Sequence, residues 1–196
     1  MNEAAKTHLS LVCNVVLEQQ RLIDDMSRQI QALTRVTDGT FLWKVPAFKS
    51  KSLMAKSTDG YEIKSDPFYT SPHGYRLRMS IFPNGNGSGE GTHLSIYIHV
   101  LPGEYDGLLE WPFHLPIVFQ LYDQCTDIEK RRHIVESFVP NPSWKQFQRP
   151  AKDATEGSGF GYPKFIHLDI LRTGTFVRDD SIFIKIRADM SKFIEP

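Results

Sequence analysis

Apolar residues recur at alternating three- and four-residue steps early in the chain: Leu9, Val12, Val16, Ile23, Met26, Ile30 and Leu33, with Gln19 the polar member of the series. This is a heptad pattern sustained over several repeats, which points to a coiled coil rather than to a lone amphipathic helix. It predicts a helix from Thr7 to Val36, with Leu9, Val16, Ile23 and Ile30 at the a positions and Val12, Gln19, Met26 and Leu33 at d. No Gly or Pro falls between residues 9 and 35, so nothing interrupts the seam. At about 1.5 Å per residue the helix is a rod of roughly 40 Å. The residues at a and d leave dimer and trimer both open.

Asp38-Gly39 ends the helical pattern, and the period then shortens. Aromatic and β-branched residues follow in Phe41-Leu42-Trp43-Lys44-Val45, and strands are predicted at Tyr75 to Phe82, Leu94 to Leu101, Ile117 to Asp123 and Ser181 to Ala188. The last is the clearest, with Ile182, Ile184 and Ile186 alternating against Phe183, Lys185 and Arg187. Turn residues separate these runs at Pro72-His73-Gly74, Asn84 to Gly91, Pro102-Gly103 and Asp179-Asp180. The polar stretch Thr126 to Glu136 has room for one helical turn. Many short strands without a long helix between them predict a mainly β, antiparallel sandwich. The expected organisation is an assembly helix over 1–37 and one β domain over 38–196.

Composition narrows the function. The chain has 196 residues, 40% of them hydrophobic, enough for one good-sized core beside the helix. Lys plus Arg and Asp plus Glu each number 23, so bulk charge favours neither nucleic acid nor an acidic membrane. Cys13 and Cys125 are too far apart in sequence to suggest a disulfide framework or a metal cluster, which fits a reducing, cytoplasmic setting. No apolar run approaches the roughly 20 residues of a membrane span, and the first residues lack a signal-peptide pattern.

Candidate chemistry is sparse. The segment Asn84 to Gly91 is rich in Gly, but Thr92-His93 stands where a phosphate loop needs Lys-Ser or Lys-Thr, and a strand follows instead of a helix; Asn-Gly here signals a hairpin. The seven histidines are scattered, no Gly-x-Ser-x-Gly turn marks a nucleophile, and Cys125 has no activating neighbour in sequence. His93 and Ser95 are the residues that an approach to Asp123 would turn into a catalytic trio. No catalytic residue, metal ligand or cofactor is therefore assigned. The aromatic density of Phe138, Trp144, Phe147, Phe160, Tyr162 and Phe165 among Gly and Pro is more suggestive, because such residues line grooves that hold extended peptides against a strand edge.

With its ordered motifs Gly39 to Val45, Pro67-Phe68-Tyr69-Thr70, Gly74-Tyr75, Asn84 to Ser95, Gly103-Glu104-Tyr105-Asp106, Leu109 to Phe113, Asp123-Gln124, Phe147 to Pro150 and Val177 to Asp180, the chain resembles the TRAF family of receptor-associated adaptors. The resemblance implies an eight-stranded antiparallel sandwich of the MATH type, a homotrimer built by the coiled coil, and docking of the cytoplasmic tails of membrane receptors along one sheet edge. It also implies scaffolding of downstream signalling proteins, in the cytoplasm and at the plasma membrane after recruitment.

By the same resemblance, the peptide site comprises Ser80, Phe82, Asn86, Phe138, Trp144, Gln146, Phe147, Phe160, Gly161 and Tyr162, with Phe82, Phe138, Phe147, Phe160 and Tyr162 expected to line one apolar groove. Several members carry an Arg and a Tyr where this chain has Ser80 and Phe82, an Asp where it has Asn86, and three serines where it has Trp144-Lys145-Gln146. Losing such hydrogen-bonding groups costs about 1 to 3 kcal/mol each, so the common Pro-x-Gln-x-Ser/Thr type of peptide is not the expected ligand. Gly159-Phe160-Gly161-Tyr162 is similar to the sixth member, while the departures together look most like the fourth or an invertebrate relative of that branch. Members usually carry a RING and zinc fingers upstream; no such cysteine-rich sequence lies in these residues, so the expectation for them is no ubiquitin-ligase activity. The alternative expectation is a phosphoinositide surface made from Lys49, Lys51, Lys56, Arg76 and Arg78 of several subunits.

Overall fold

A computed structural model describes residues 12–24, 26, 39–154 and 157–188, and the chain divides into two compact units between Arg35 and Val36. In the first unit residues 12–24 form a helix, α1. The seam residues Val12, Val16 and Ile23 are exposed on it, as is the helical residue Met26, and Gln20 Nε2 donates to Asp24 Oδ1 one turn on, at 2.9 Å. The predicted seam positions Leu9, Ile30 and Leu33 lie outside the described residues.

The second unit is a sandwich of two antiparallel sheets. Its strands are β1 (Thr40–Pro46), β2 (Ile63–Lys64), β3 (Phe68–Tyr69), β4 (Arg76–Phe82), β5 (His93–Leu101), β6 (Ile117–Leu121), β7 (Ile134–Phe138), β8 (Phe160–His167) and β9 (Ser181–Ala188). One sheet runs β1-β9-β6-β7; the other runs β2-β4-β5-β8, with β3 also paired to β4. β2 and β3 lie along the same edge of β4, interrupted at Asp66-Pro67, and so fill one strand position. The architecture therefore has the eight strand positions that the resemblance implies.

Period-two alternation builds the core. Ile182, Ile184 and Ile186 of β9 face Leu77, Met79 and Ile81 of β4 and Leu94, Ile96 and Ile98 of β5 across the interior, all essentially inaccessible to water. Each such side chain contributes about 1.5–3 kcal/mol. On the outer face of β9, Phe183 is half-buried beneath the Lys44 ammonium, which lies 5.8 Å from its ring centre.

Two helices and four strands, β2, β3, β7 and β8, escape the local pattern. α2 (Phe48–Ser57) buries only Phe48 and Ala55, too few apolar positions to make a helical stripe. α3 (Leu168–Thr173) is a six-residue helix that follows β8 directly. Within Thr126 to Glu136, the helical turn is the 3-10 segment Ile128–Lys130, and β7 begins straight after it. β7 went unread because it is an edge strand: Ile134, Glu136 and Phe138 are half-buried while Val135 and Ser137 face solvent.

Candidate peptide-binding site

β7 and β8 are the outer strands of their respective sheets, and they lie side by side. The Tyr162 hydroxyl of β8 donates to the Ser137 carbonyl of β7 at 2.6 Å, and the rings of Phe138 and Phe160 meet at 4.7 Å. Burial, then the nearby Glu136 carboxylate, raises the Tyr162 phenol above its ordinary pKa, which keeps it a donor. β8 carries Pro163 in its middle, which suits a strand with one open edge. The Pro163 carbonyl accepts from the Ser95 hydroxyl at 2.6 Å, and Ser95 Oγ in turn accepts from the Asn86 backbone N–H at 2.9 Å.

The register sorts the candidate residues onto two faces. Phe160 pairs with Ile98 and Tyr162 with Ile96, so both point to the inner face, toward β7; Gly161 pairs with Tyr97 and lies on the outer face. On the inner side an aromatic seam results. Trp144 stacks on Phe160 at 4.4 Å, and Phe147 meets Phe160 at 5.5 Å and Phe138 at 5.9 Å. Such ring pairs contribute about 0.5–1.5 kcal/mol beyond the area they bury. The 3-10 turn Lys145–Phe147 holds the half-buried Gln146 beside them.

On the outer face Ser80, Tyr97 and Gly161 form one row across β4, β5 and β8. Phe82 packs edge-on against Tyr97 at 5.7 Å, and the Tyr97 hydroxyl reaches Asn86 Oδ1 at 3.5 Å. Burial raises the Tyr97 phenol despite its bond to Ser95. Ser80 is fully buried, with its Oγ 2.9 Å from His99 Nε2. His99 Nδ1 lies 3.0 Å from the Gly157 carbonyl. A carbonyl only accepts, so Nδ1 carries a hydrogen, while Nε2 faces the Ser80 hydroxyl and, at 3.7 Å, the Glu62 carboxylate. Glycine is required at 161 because a Cβ there would strike the backbone of Ile96 and Tyr97, and at 159 because it would meet the His99 ring.

One expectation needs correction. Phe82, Phe138, Phe147, Phe160 and Tyr162 do not line one groove: Phe82 is on the outer face of β4, two strands from the seam, and Phe147 is 1% exposed and supports the seam from beneath. Tyr97 and His99 were missed. The signal that could have found them is the alternation His93, Ser95, Tyr97, His99, which sets polar groups opposite Ser80 and Phe82 on the outer face. His93 and Ser95 do not approach Asp123, whose carboxylate is taken up by Thr175, Arg132 and Cys125. Among the described residues no group of His, Cys, Asp or Glu is placed to hold a metal ion, and no helix is long and apolar enough to cross a membrane. Within one chain the basic residues of the phosphoinositide expectation do not form one cluster. Lys49, Lys51 and Lys56 belong to α2, whose neighbour across a shared cavity is Pro83, whereas Arg76 is at the far end of β4, about 20 Å away.

The comparisons agree with this architecture. A family model described as TRAF/meprin, MATH domain matches residues 60–185. The chain is 39% identical over 155 residues to TNF receptor-associated factor 5 of Mus musculus, covering 78% of this chain and 27% of that protein. It is 36% identical over 169 residues to TNF receptor-associated factor 2 of Homo sapiens, covering 85% of this chain and 32% of that protein. It thus spans about a quarter to a third of the length of these relatives. The solved structure of Notothenia coriiceps TRAF5 superposes with a TM-score of 0.75 at 30% identity, covering 96% of this chain and 95% of that one. Sandwich topology, ordered motifs and sequence identity converge, and this chain belongs to the TRAF family of MATH-domain proteins.

Proposed function

We propose that the chain is the docking end of a trimeric signalling adaptor that binds short segments of receptor cytoplasmic tails along β8. The observation that carries this reading is the open edge of β8, bordered on one side by the Phe138–Trp144–Phe160 seam and on the other by the Ser80–Tyr97–Gly161 row. An extended peptide added to that edge directs alternate side chains to the two borders, so backbone pairing supplies affinity and the borders supply choice. The names of the relatives, TNF receptor-associated factors, support receptors as the partners. Localisation then follows the receptor: cytoplasmic, with recruitment to the plasma membrane, where downstream signalling proteins assemble. The likeness to the fourth member belongs to this proposal and rests on positions 80, 82, 86 and 144–146.

The test is an array of receptor cytoplasmic-tail peptides probed with the chain and with Phe160→Ala. Phe160 is half-buried between Trp144 and Phe138, so the variant opens the seam and is expected to lose selective binding by at least about tenfold, equivalent to about 1.4 kcal/mol. Equal binding by both proteins would exclude β8 as the site.

A further inference from the structure

α2 starts directly after β1 and α3 directly after β8, and between them the sandwich has a cavity of about 520 Å³. That volume is in the usual range of about 300–1,000 Å³ for specific binding pockets. The floor is apolar, made largely by the buried Phe48, Leu168 and Leu171, and Leu53 stands 65% exposed at its margin. The position of α2 is fixed from below: the backbone N–H of Phe48 donates to the Asp180 carbonyl at 3.0 Å and that of Lys49 to its carboxylate at 2.8 Å. The charged residues lining the cavity are Lys49, Lys56 and Arg172, and among the described residues no Asp or Glu lines it. The carboxylate nearest in sequence, Asp169, pairs with Arg172 at 3.5 Å on the exposed side of α3.

The spacing of the charges selects the ligand. Lys49 and Lys56 are seven residues apart on one helix, two turns or about 10 Å along its axis. A single anionic headgroup meets both only by drawing two long side chains together, at a cost in side-chain entropy. Alternate side chains of an extended chain point to opposite faces, so two carboxylates on one face are two or four residues apart, about 7 or 13 Å, and the four-residue spacing lets each lysine keep its own carboxylate. We propose that this cavity is a second docking site, for an extended peptide that places one aliphatic or aromatic side chain on the floor and two acidic side chains on the Lys49/Lys56 rim. Phe160 begins β8 and Leu168 follows its last residue, about 25 Å away. Occupation of this site is therefore compatible with a separate peptide on the β8 edge.

The experiment is fluorescence anisotropy with short fluorescein-labelled peptides carrying two Glu residues four positions apart, on one face of the extended chain, and Leu, Phe or Trp between them. The expected result is saturable binding that falls at least about tenfold when Gln replaces Glu, in the double variant Lys49→Glu/Lys56→Glu, and in Leu53→Ser. All three substituted positions are exposed, and a retained melting temperature checks that the variants fold. Binding is expected to survive in Phe160→Ala, which separates this site from the β8 edge. No binding of any of these peptides, or binding indifferent to the lysine reversal, overturns the proposal. Lysine-dependent binding to phosphatidylserine vesicles without peptide binding also overturns it, in favour of a lipid surface.

Discussion

At the residue scale, the most informative buried charge is Asp123, 7% exposed two residues after β6. Its carboxylate accepts from the Thr175 hydroxyl, from the Arg132 N–H at 2.8 Å and from the Cys125 N–H at 2.9 Å. Burial alone pushes this carboxyl up, but those hydrogen bonds and the nearby His133 outweigh it and hold the group below its ordinary value. A depressed folded-state pKa means that the stabilisation is present above the unfolded value of about 3.9 and is lost as pH falls through the folded value. Asp123→Asn is expected to cost about 1–3 kcal/mol at neutral pH. That cost should shrink below about pH 4, as urea unfolding at both pH values would measure; an equal gap at both would rule out the charged form as the stabiliser. The Asp123-Gln124 pair was visible in the sequence as a motif, but its anchoring role was not, because Thr175 is fifty-two residues away. Ser80 shows the reverse: its family position was visible as a resemblance, whereas its burial against His99, diagonal to it on β5, depends on the register of β4 with β5.

At the element scale, β8 carries the proposed docking edge. Its beginning was legible only as the motif Gly159-Phe160-Gly161-Tyr162, because a motif is a local property. Its status as an outer strand was not, since that depends on β5 alone pairing with it. Gly161 is where the strand's geometry is most exposed to test. A Cβ there cannot fit against Ile96 and Tyr97 without moving β8, and overpacking of this kind costs about 1–3 kcal/mol. Gly161→Ala is therefore expected to lower the melting temperature, speed amide exchange along β5 and β8, and weaken tail-peptide binding. A variant that melts and exchanges like the parent would show that β8 accommodates the methyl group and that the close approach is not a constraint.

At the scale of the whole molecule, the proposal joins weak docking to assembly. Three linked sites raise overall affinity for clustered tails by on the order of a hundredfold or more without any new contact. Ile23, at an a position of the heptads and exposed on α1, is the residue on which to test this. Ile23→Asp is expected to yield monomers that bind one peptide normally but lose the advantage on clustered peptides. Analytical ultracentrifugation checks the first part, and an unchanged mass would eliminate the proposed seam.

The sequence by itself determined what depends on neighbours a few residues apart. The heptad steps, the alternation of β9 and the turn residues that separate the strands are local periods, as are the ordered motifs that mark the family. The tertiary structure decided what depends on residues far apart along the chain. Thr40 pairs with Arg187 to close one sheet, β7 and β8 meet as neighbouring outer strands through Tyr162 and Ser137, and α2 and α3 enclose a cavity between them. No local period encodes those pairings, because they are set by burying the strands' apolar faces together in one core, and it is those pairings that divide the candidate residues between the aromatic seam and the outer row.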